Sequence, residues 1–552
     1  MGMSKKRKLK AVSIAVRQSL AVQESPMRVA TAGGRIQVKW DSKSSATAMG
    51  QVVFFAEFLE ATGLFDRWVA QCPLHYTSPN APKVRDVLGT WLLSILDGQH
   101  RYAHAARLRG DSVAPQALGM SKIIGDESLR RGVALIAPAA KDNDDVEAQK
   151  RQQAQIERAD KWMDQALLES VQYALDYDWI LDIDTTIKTL FGHQSGAEVS
   201  YNPHKPGRPS HAVHTYWVAN LRLVLQACVQ SGTSHSAAQT LPGLIELICR
   251  LPKENRPKLV RGDCAFGNER VMRELEEIGQ PYLFKLKQSS NVKKLCERQW
   301  QQAAWRDVGQ GWEAREDTLT LQGWTQARRV IVMRRELKDV VVSAPSKTSK
   351  ASAKAGKSNI ATSQQISLHF IDENAPAKAW EYAVLVTNSN YDVGTMGQLY
   401  RDRADCENGF DELKNQWGWG GYSTQDIERC NLSARAVALI YNWWSWYVRL
   451  ANPDGRLEAI TSRPLLLAAV GRITTHSGQT RILLSVTHAA VEKVKGMVAK
   501  VRKGLAHVLA TAPQLAPLER WAALVRYIVI EIFIADAKKR AKTTAGPALA
   551  TG

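Results

Sequence analysis

The sequence predicts an α/β protein with a sheet core, a β-rich insertion within that core, and helical regions on its N- and C-terminal flanks. Three observations predict this. Apolar residues recur at three- and four-residue spacing before about residue 175 and again after about 393, the period of a helix with one buried face. β-branched and alternating runs, separated by Gly, Pro and Asn, crowd residues 178–287. A second group of strand-like runs follows between 298 and 390. With 552 residues, 45% of them hydrophobic, the chain is too long for one hydrophobic core and apolar enough to build several.

Residues 1–45 are polar and basic with little periodicity and read as a flexible basic arm. Residues 46–175 read as a helical domain. Val84, Val87, Leu88, Trp91, Leu92, Ile95 and Leu96 mark one buried stripe, followed by the basic stretch RYAHAARLRG. A short helix, a Gly-containing turn and a second helix beginning at Asp126 or Ser128 suit a helix-turn-helix that binds DNA ends, and suit an ordinary helical bundle equally.

Residues 176–297 contain the strands WILDIDTTI, HAVHTYWV and RLVLQACVQSG, a helix at about 236–250, the strand KLVRGDCAF, the helix NERVMRELEEIG and the strand PYLFKLK. Three strands, a helix, a strand, a helix and a strand is the order of the RNase H fold. Residues 298–392 form the β-rich insertion (ARRVIVMRREL, ISLHFI, EYAVLVTN). Its Ser/Ala/Lys-rich stretch 343–365 lacks the apolar surface to order itself and reads as a disordered loop. Residues 393–450 return to a helical period and complete the core, and residues 451–552 read as a helical C-terminal region.

The 73 Lys and Arg against 54 Asp and Glu give a net charge of +19, a surplus that attracts polyanions and makes nucleic acid the first partner to consider. The seven cysteines are scattered with no C-x-x-C pair, as expected of buried thiols in a reducing cytoplasm. The apolar part of MGMSKKRKLKAVSIAV is too short for a signal peptide. WAALVRYIVIEIFIADA (521–537) carries Arg526 and Glu531 and reads as a packed helix, short of a membrane span. Export and membrane insertion are therefore not expected.

The run YRDRADCENGFDELKNQWGWGG (400–421) carries the most chemistry. Tyr400, Arg403, Glu407 and Lys414 stand at offsets 0, 3, 7 and 14, which at about 100° per residue puts all four within roughly 60° of one helix face. Taken alone, such charges usually form a solvated face with i,i+4 ion pairs, and Arg403 and Glu407 fit that description.

All four residues match, in type and spacing, the Y-(2)-R-(3)-E-(6)-K signature, and the segment resembles that of the bacterial insertion-sequence DDE transposases. WILDIDTTI resembles the family's first-Asp strand, GHQSGAEVSYNPHKPGRPSH the loop after it in one subgroup, and VRGDCAF the second-Asp site. The resemblance spans roughly 178–445. It implies that Asp184, Asp263 and Glu407 are the catalytic carboxylates and metal ligands, holding two Mg²⁺ ions with Mn²⁺ as a substitute. Tyr400, Arg403 and Lys414 are implied to contact DNA. The implied protein is cytoplasmic and nucleoid-associated in a bacterium, binds element ends and target DNA, and acts as a homo-oligomer in a paired-end complex. The chemistry agrees: in-line attack on a phosphodiester is served by two hard cations roughly 3.5–4 Å apart, and hard cations take carboxylate oxygens. The three acids are 79 and 144 residues apart, so only a tertiary fold brings them together.

Several alternatives stay open at this level. Asp182 points to the same side of its strand as Asp184 and rivals it, although the Asp-Thr step of the family matches Asp184. Asp411 rivals Glu407. Tyr400 suits a phosphate contact or packing against the sheet. His193, His204, His211 and His214 cluster without a cysteine, and strand alternation separates 211 from 214, which argues against zinc. Trp417, Trp419, Trp443, Trp444 and Trp446 suit the core better than base stacking. The rival function is a non-catalytic DNA-binding relic that represses, whose mark would be loss of a triad carboxylate; none is lost.

Overall fold

The structure, a computed structural model, describes residues 27–41, 44–139, 145–200, 202, 205–234, 236–300, 302, 304–337, 379–477, 479–485, 489–511 and 513–544. The stretch 343–365, the run ISLHFI and His204 lie outside the described residues.

The expected basic arm needs correction in its second half. β1 (Met27–Thr31) and β2 (Gly34–Val38) form an antiparallel hairpin with both strands exposed. Its register sets Met27 against Val38 and Val29 against Ile36, so apolar cross-strand pairs share one face, and Gly34 at φ 111° closes the turn. After β3 (Ala46–Thr47) the chain is helical: α1 (Val52–Thr62), α2 (Leu64–Ala70), α3 (Val84–Leu96), the short α4 (Ala114–Ala117), α5 (Asp126–Ile136) and α6 (Val146–Val171).

The central sheet begins with β4 (Ile180–Thr189), β5 (Glu198–Val199), β6 (Pro209–Val218) and β7 (Leu223–Ser231). After α7 (Ser236–Arg250) come β8 (Leu259–Gly262), α8 (Glu269–Glu277), β9 (Tyr282–Lys285) and α9 (Ser290–Trp300). The order is β7-β6-β4-β8-β9, antiparallel from β7 to β4 and parallel from β4 to β9. β5 pairs with the start of β6, a short strand within the segment read as a loop.

The β-rich segment that follows α9 extends the core sheet. β10 (Arg306–Asp307), β11 (Trp312–Leu319), β12 (Arg328–Leu337) and β13 (Ala379–Thr387) continue the same sheet, with β13 antiparallel to β9. The reason is two-sided burial. Val330, Val332, Val384 and Val386 join the main core, while the alternating Ile331, Met333, Ala383 and Leu385 join a second cluster on the other face. Strands apolar on both faces need cover on both sides, and the sheet's edge at β9 offers it.

The remaining helices are α10 (Val393–Arg401), α11 (Ala404–Gln416), α12 (Ile427–Ala451), α13 (Ala459–Leu466), α14 (Val491–Thr511) and α15 (Pro517–Thr544). A hairpin of β14 (Gly471–His476) and β15 (Gln479–Leu484) interrupts the region read as helical and pairs with β3. Its alternation is brief, and Ser477 turns it at φ 51°. Among the described residues, no helix is long and apolar enough to cross a membrane.

α12 is the hub. It is buried along nearly its whole length, begins at an Asp426 cap whose carboxylate accepts from the Arg429 N–H, and packs Trp443 edge-on to Trp68. It also covers the outer edge of β7. The Asn442 side chain accepts from Val224 N at 2.9 Å and donates to Val224 O at 2.7 Å. Asn431 accepts from Val229 N, and Arg435 donates to Ala227 O. Backbone groups that an edge strand leaves open are thereby satisfied inside the protein.

Candidate active site

β4 and β8 run parallel with Asp182 opposite Arg261, so two residues further along each chain Asp184 and Asp263 come side by side. Asp182 itself is fully buried. Its carboxylate accepts from Arg261 Nε at 2.6 Å and from Nη2 at 2.7 Å, and Arg261 also donates to the Leu399 carbonyl at the end of α10. Asp182 thus ties β4 to β8, and Arg261 ties both to α10, while Asp184 faces an open cavity.

That cavity, about 660 Å³, is lined by Asp184, Asp263, Glu407, Tyr400 and Arg403. Asp263 closes β8 in a tight turn, where its Oδ1 accepts from Ala265 N at 2.9 Å. The preceding residue has to be small, because a Cβ on Gly262 would meet the Phe266 ring at 2.9 Å. Glu407 comes from α11, which approaches the sheet at Gly409. A Cβ there would lie 3.0 Å from the Trp217 ring, and Phe410 meets the same ring edge-on.

The single helix face expected for residues 400–414 is corrected by a break. α10 ends at Arg401, α11 starts at Ala404, and Arg403 sits in the turn between them. The two arginines flanking the break reach in different directions: Arg401 donates to the Val308 carbonyl at 2.5 Å, whereas Arg403 turns inward to Asp184. Lys414, about two turns beyond Glu407, does not line the cavity. Burial lowers its pKa against the pull of Asp184.

Arg403 is buried, with Nη2 at 2.5 Å from Asp184 Oδ2 and Nη1 at 3.5 Å from Glu407 Oε1. Burial opposes its charge, yet the Asp184 carboxylate holds its pKa above the usual value. Burial pushes Asp184 up to about 6; Arg403 and the Thr185 N–H pull it down, and the charges of Asp263 and Glu407 push further up. Burial likewise raises the Tyr400 phenol. The three acids therefore share one electrostatic environment, with a guanidinium spanning two of them.

Among the described residues, no three His, Cys, Asp or Glu side chains stand close enough together to hold a metal ion as they are. The donor set nonetheless fits a hard cation. Three carboxylates line one cavity, and Asp184 and Glu407 already share a positive partner in Arg403.

Lys285 and Lys287 also line the cavity and were not singled out in the sequence. The signal was present in PYLFKLK, since lysines two apart on an extended chain face the same way. The other candidates fall elsewhere. Asp411 is exposed and accepts from Asn415 Nδ2. His211 bonds the Ser195 carbonyl through Nε2, His214 bonds Thr185 Oγ1 through Nδ1, and burial lowers the His214 pKa to about 4. His193 is exposed. All five tryptophans are buried or nearly so; Trp419 donates to the Ala434 carbonyl, and Trp417 lies under Arg463.

Sheet and cavity define a protein with paired acidic residues on adjacent parallel strands and a third acid delivered by a helix. Residues 27–343 match the family model described as Transposase DDE domain group 1, and the chain belongs to this family of DDE transposases. Asp184 and Asp263 lie within the matched residues, whereas Tyr400, Arg403, Glu407 and Lys414 lie beyond them. Comparison with curated proteins finds no match. Among solved structures, the chain is similar to one described as a piggyBac transposase synaptic complex with hairpin DNA, at 10% identity and a TM-score of 0.39, covering 89% of this chain and 87% of that one.

Proposed function

We propose that the protein is a DNA transposase with an RNase H-like core that binds the terminal inverted repeats of an insertion sequence, cleaves phosphodiester bonds there and joins the freed ends to target DNA. One observation carries this reading: Asp184, Asp263 and Glu407, far apart in sequence, line a single cavity together with Tyr400 and Arg403. The strand order β7-β6-β4-β8-β9 supports the core assignment.

In this reading the three carboxylates hold Mg²⁺, two ions with Mn²⁺ as a substitute. When bound, the metal supplies Lewis-acid stabilisation of the attacking and leaving oxygens of an in-line displacement. Arg403 exchanges its carboxylate partners for a phosphate of the DNA, for which its planar fork is suited, and Lys285 and Lys287 hold the same strand as point charges. Tyr400 places its neutral hydroxyl beside the scissile phosphate. Lys414 contributes charge to the DNA-facing side of α11. The +19 net charge draws in the duplex, and two copies act on paired ends.

The test is incubation of the full chain with fragments of its element's ends and Mg²⁺. Asp184→Asn, Asp263→Asn and Glu407→Gln should each lower cleavage by orders of magnitude while gel-shift binding to the ends persists. A variant that still cleaves removes its residue from the triad.

A further inference from the structure

A second cavity, about 810 Å³, opens where the helical N-terminal region meets the far end of β4. It shares no lining residue with the Asp184 cavity. Its walls come from the turn after α3, the loop leaving β4, and the segment leading into α12. Three guanidiniums line it, those of Arg101, Arg130 and Arg429. The Arg101 side chain has no partner among the described residues, Arg130 pairs only loosely with Glu127 at 3.8 Å, and Arg429 stands 3.5 Å from Asp426. Inside the same cavity, Gln194 Oε1 is buried without a donor among the described residues.

Phe191 adds an aromatic face. It lines the cavity yet keeps 69% of its surface exposed, with Lys205 Nζ 4.7 Å and Arg208 Cζ 5.6 Å from its ring centre. Its loop is held firmly: Ser195 N donates to the Gln425 carbonyl at 2.8 Å, and Ile427 N donates to Ser195 Oγ at 2.8 Å. A large apolar ring held in water by an anchored loop and flanked by cations has the features of a stacking platform for a base.

We infer that this cavity binds an unpaired stretch of the DNA strand, with phosphates on Arg101 and Arg130 and a base stacked on Phe191 within reach of the Gln194 carbonyl. The inference rests on the transposase reading. The volume is that of a small-ligand site, enough for a short run of unpaired nucleotides and far too small for a duplex. The location fits as well. Thr189, at the cavity's edge, lies five residues beyond Asp184 on β4, roughly 17 Å at about 3.3 Å per residue, which is about five steps along a DNA strand.

The experiment is fluorescence anisotropy on the full chain with two probes, labelled oligothymidine and a blunt duplex of equal length. Phe191 is exposed and outside the core, so Phe191→Ala should fold. It should weaken oligothymidine binding at least fivefold, about the worth of one base stack, and leave duplex binding within twofold. Arg101→Ala and Arg130→Ala should each lower the salt slope for oligothymidine by about 0.7. Unchanged oligothymidine binding in Phe191→Ala overturns the inference, as does equal weakening on both probes. Wild-type binding to the duplex but not to oligothymidine overturns this inference alone, whereas binding to neither overturns the transposase reading with it.

Discussion

Replacing Asp184 by Asn removes a charge and keeps the shape of the side chain. In the folded chain, burial raises the Asp184 pKa from 3.8 to about 6, with Asp263 and Glu407 adding to the rise and Arg403 only partly opposing it. The unfolded chain therefore releases this proton first as pH rises. The associated stabilisation is complete below about pH 4 and is lost as pH climbs through about 6. A shift of about two units at about 1.4 kcal/mol each means that ionised Asp184 costs the fold up to about 3 kcal/mol at pH 8, with the attraction to Arg403 already included. Asp184→Asn should accordingly be more stable than the wild type at pH 8, by up to about 3 kcal/mol, and indistinguishable from it near pH 4. Asp182→Asn, two residues away, should do the opposite. It strands the buried Arg261 and should cost about 3–5 kcal/mol. Urea denaturation at pH 8 and pH 4, followed by tryptophan fluorescence, measures both. A lower midpoint for Asp184→Asn than for the wild type at pH 8 would refute the reasoning, because it would make the Asp184–Arg403 pair a net support of the fold.

Other consequences are open to measurement. On the proposed function, in which Asp184 is a metal ligand and acts ionised, cleavage should fall about tenfold per pH unit below about 6; a rate that stays flat from pH 7 to pH 5 would contradict that proposal. Gly409→Ala puts a methyl 3.0 Å from the Trp217 ring, which should lift α11 by a few tenths of an ångström and carry Glu407 with it. Since about 1 Å of misplacement costs on the order of a hundredfold, cleavage should drop several-fold with end binding intact, and unaltered cleavage would mean that the helix position is slack. Asn442→Ala leaves the Val224 N–H and carbonyl unpaired in the core and should cost about 2 kcal/mol or more, read as a lower melting temperature; an unchanged one would show that β7 needs no cover from α12.

Much of the sheet was legible because its signals are local. β4, β6, β7, β8 and β9 are apolar runs punctuated by turn residues, and Asn268 marks the start of α8 with a cap to Val271 N. The parts that were not legible depend on partners distant in the chain. Alternation puts Asp182 and Asp184 on the same side of β4, and within WILDIDTTI only the resemblance, through the Asp-Thr step, favours Asp184, with no physical reason attached. The difference comes from Arg261, placed opposite Asp182 by the register with β8. The break at Arg403 was hidden for the same reason, since the partners that draw the two arginines apart, the Val308 carbonyl for Arg401 and Asp184 for Arg403, are distant in the chain. Lys285 and Lys287 went unremarked in PYLFKLK because the cavity they line takes its other wall from Tyr400, Arg403 and Glu407, more than a hundred residues later in the chain.

The strands β10 to β13 are what allow the third acid to reach the first two. After β9 the chain runs outward along α9 to β10 and returns strand by strand until β13 pairs with β9 itself, Leu385 opposite Lys285. That return fixes where α10 begins. With Asp392 capping its first turn through Gly394 N, α10 carries the Leu399 carbonyl onto Arg261 and the following turn carries Arg403 onto Asp184. A separate inserted domain would leave α10 free to pivot, and the 143 residues between Asp263 and Glu407 would be a loose tether. As an extension of the core sheet they set the position of α10, so the distance between the second and third acids is governed by the register of β13 on β9 rather than by the length of the intervening chain.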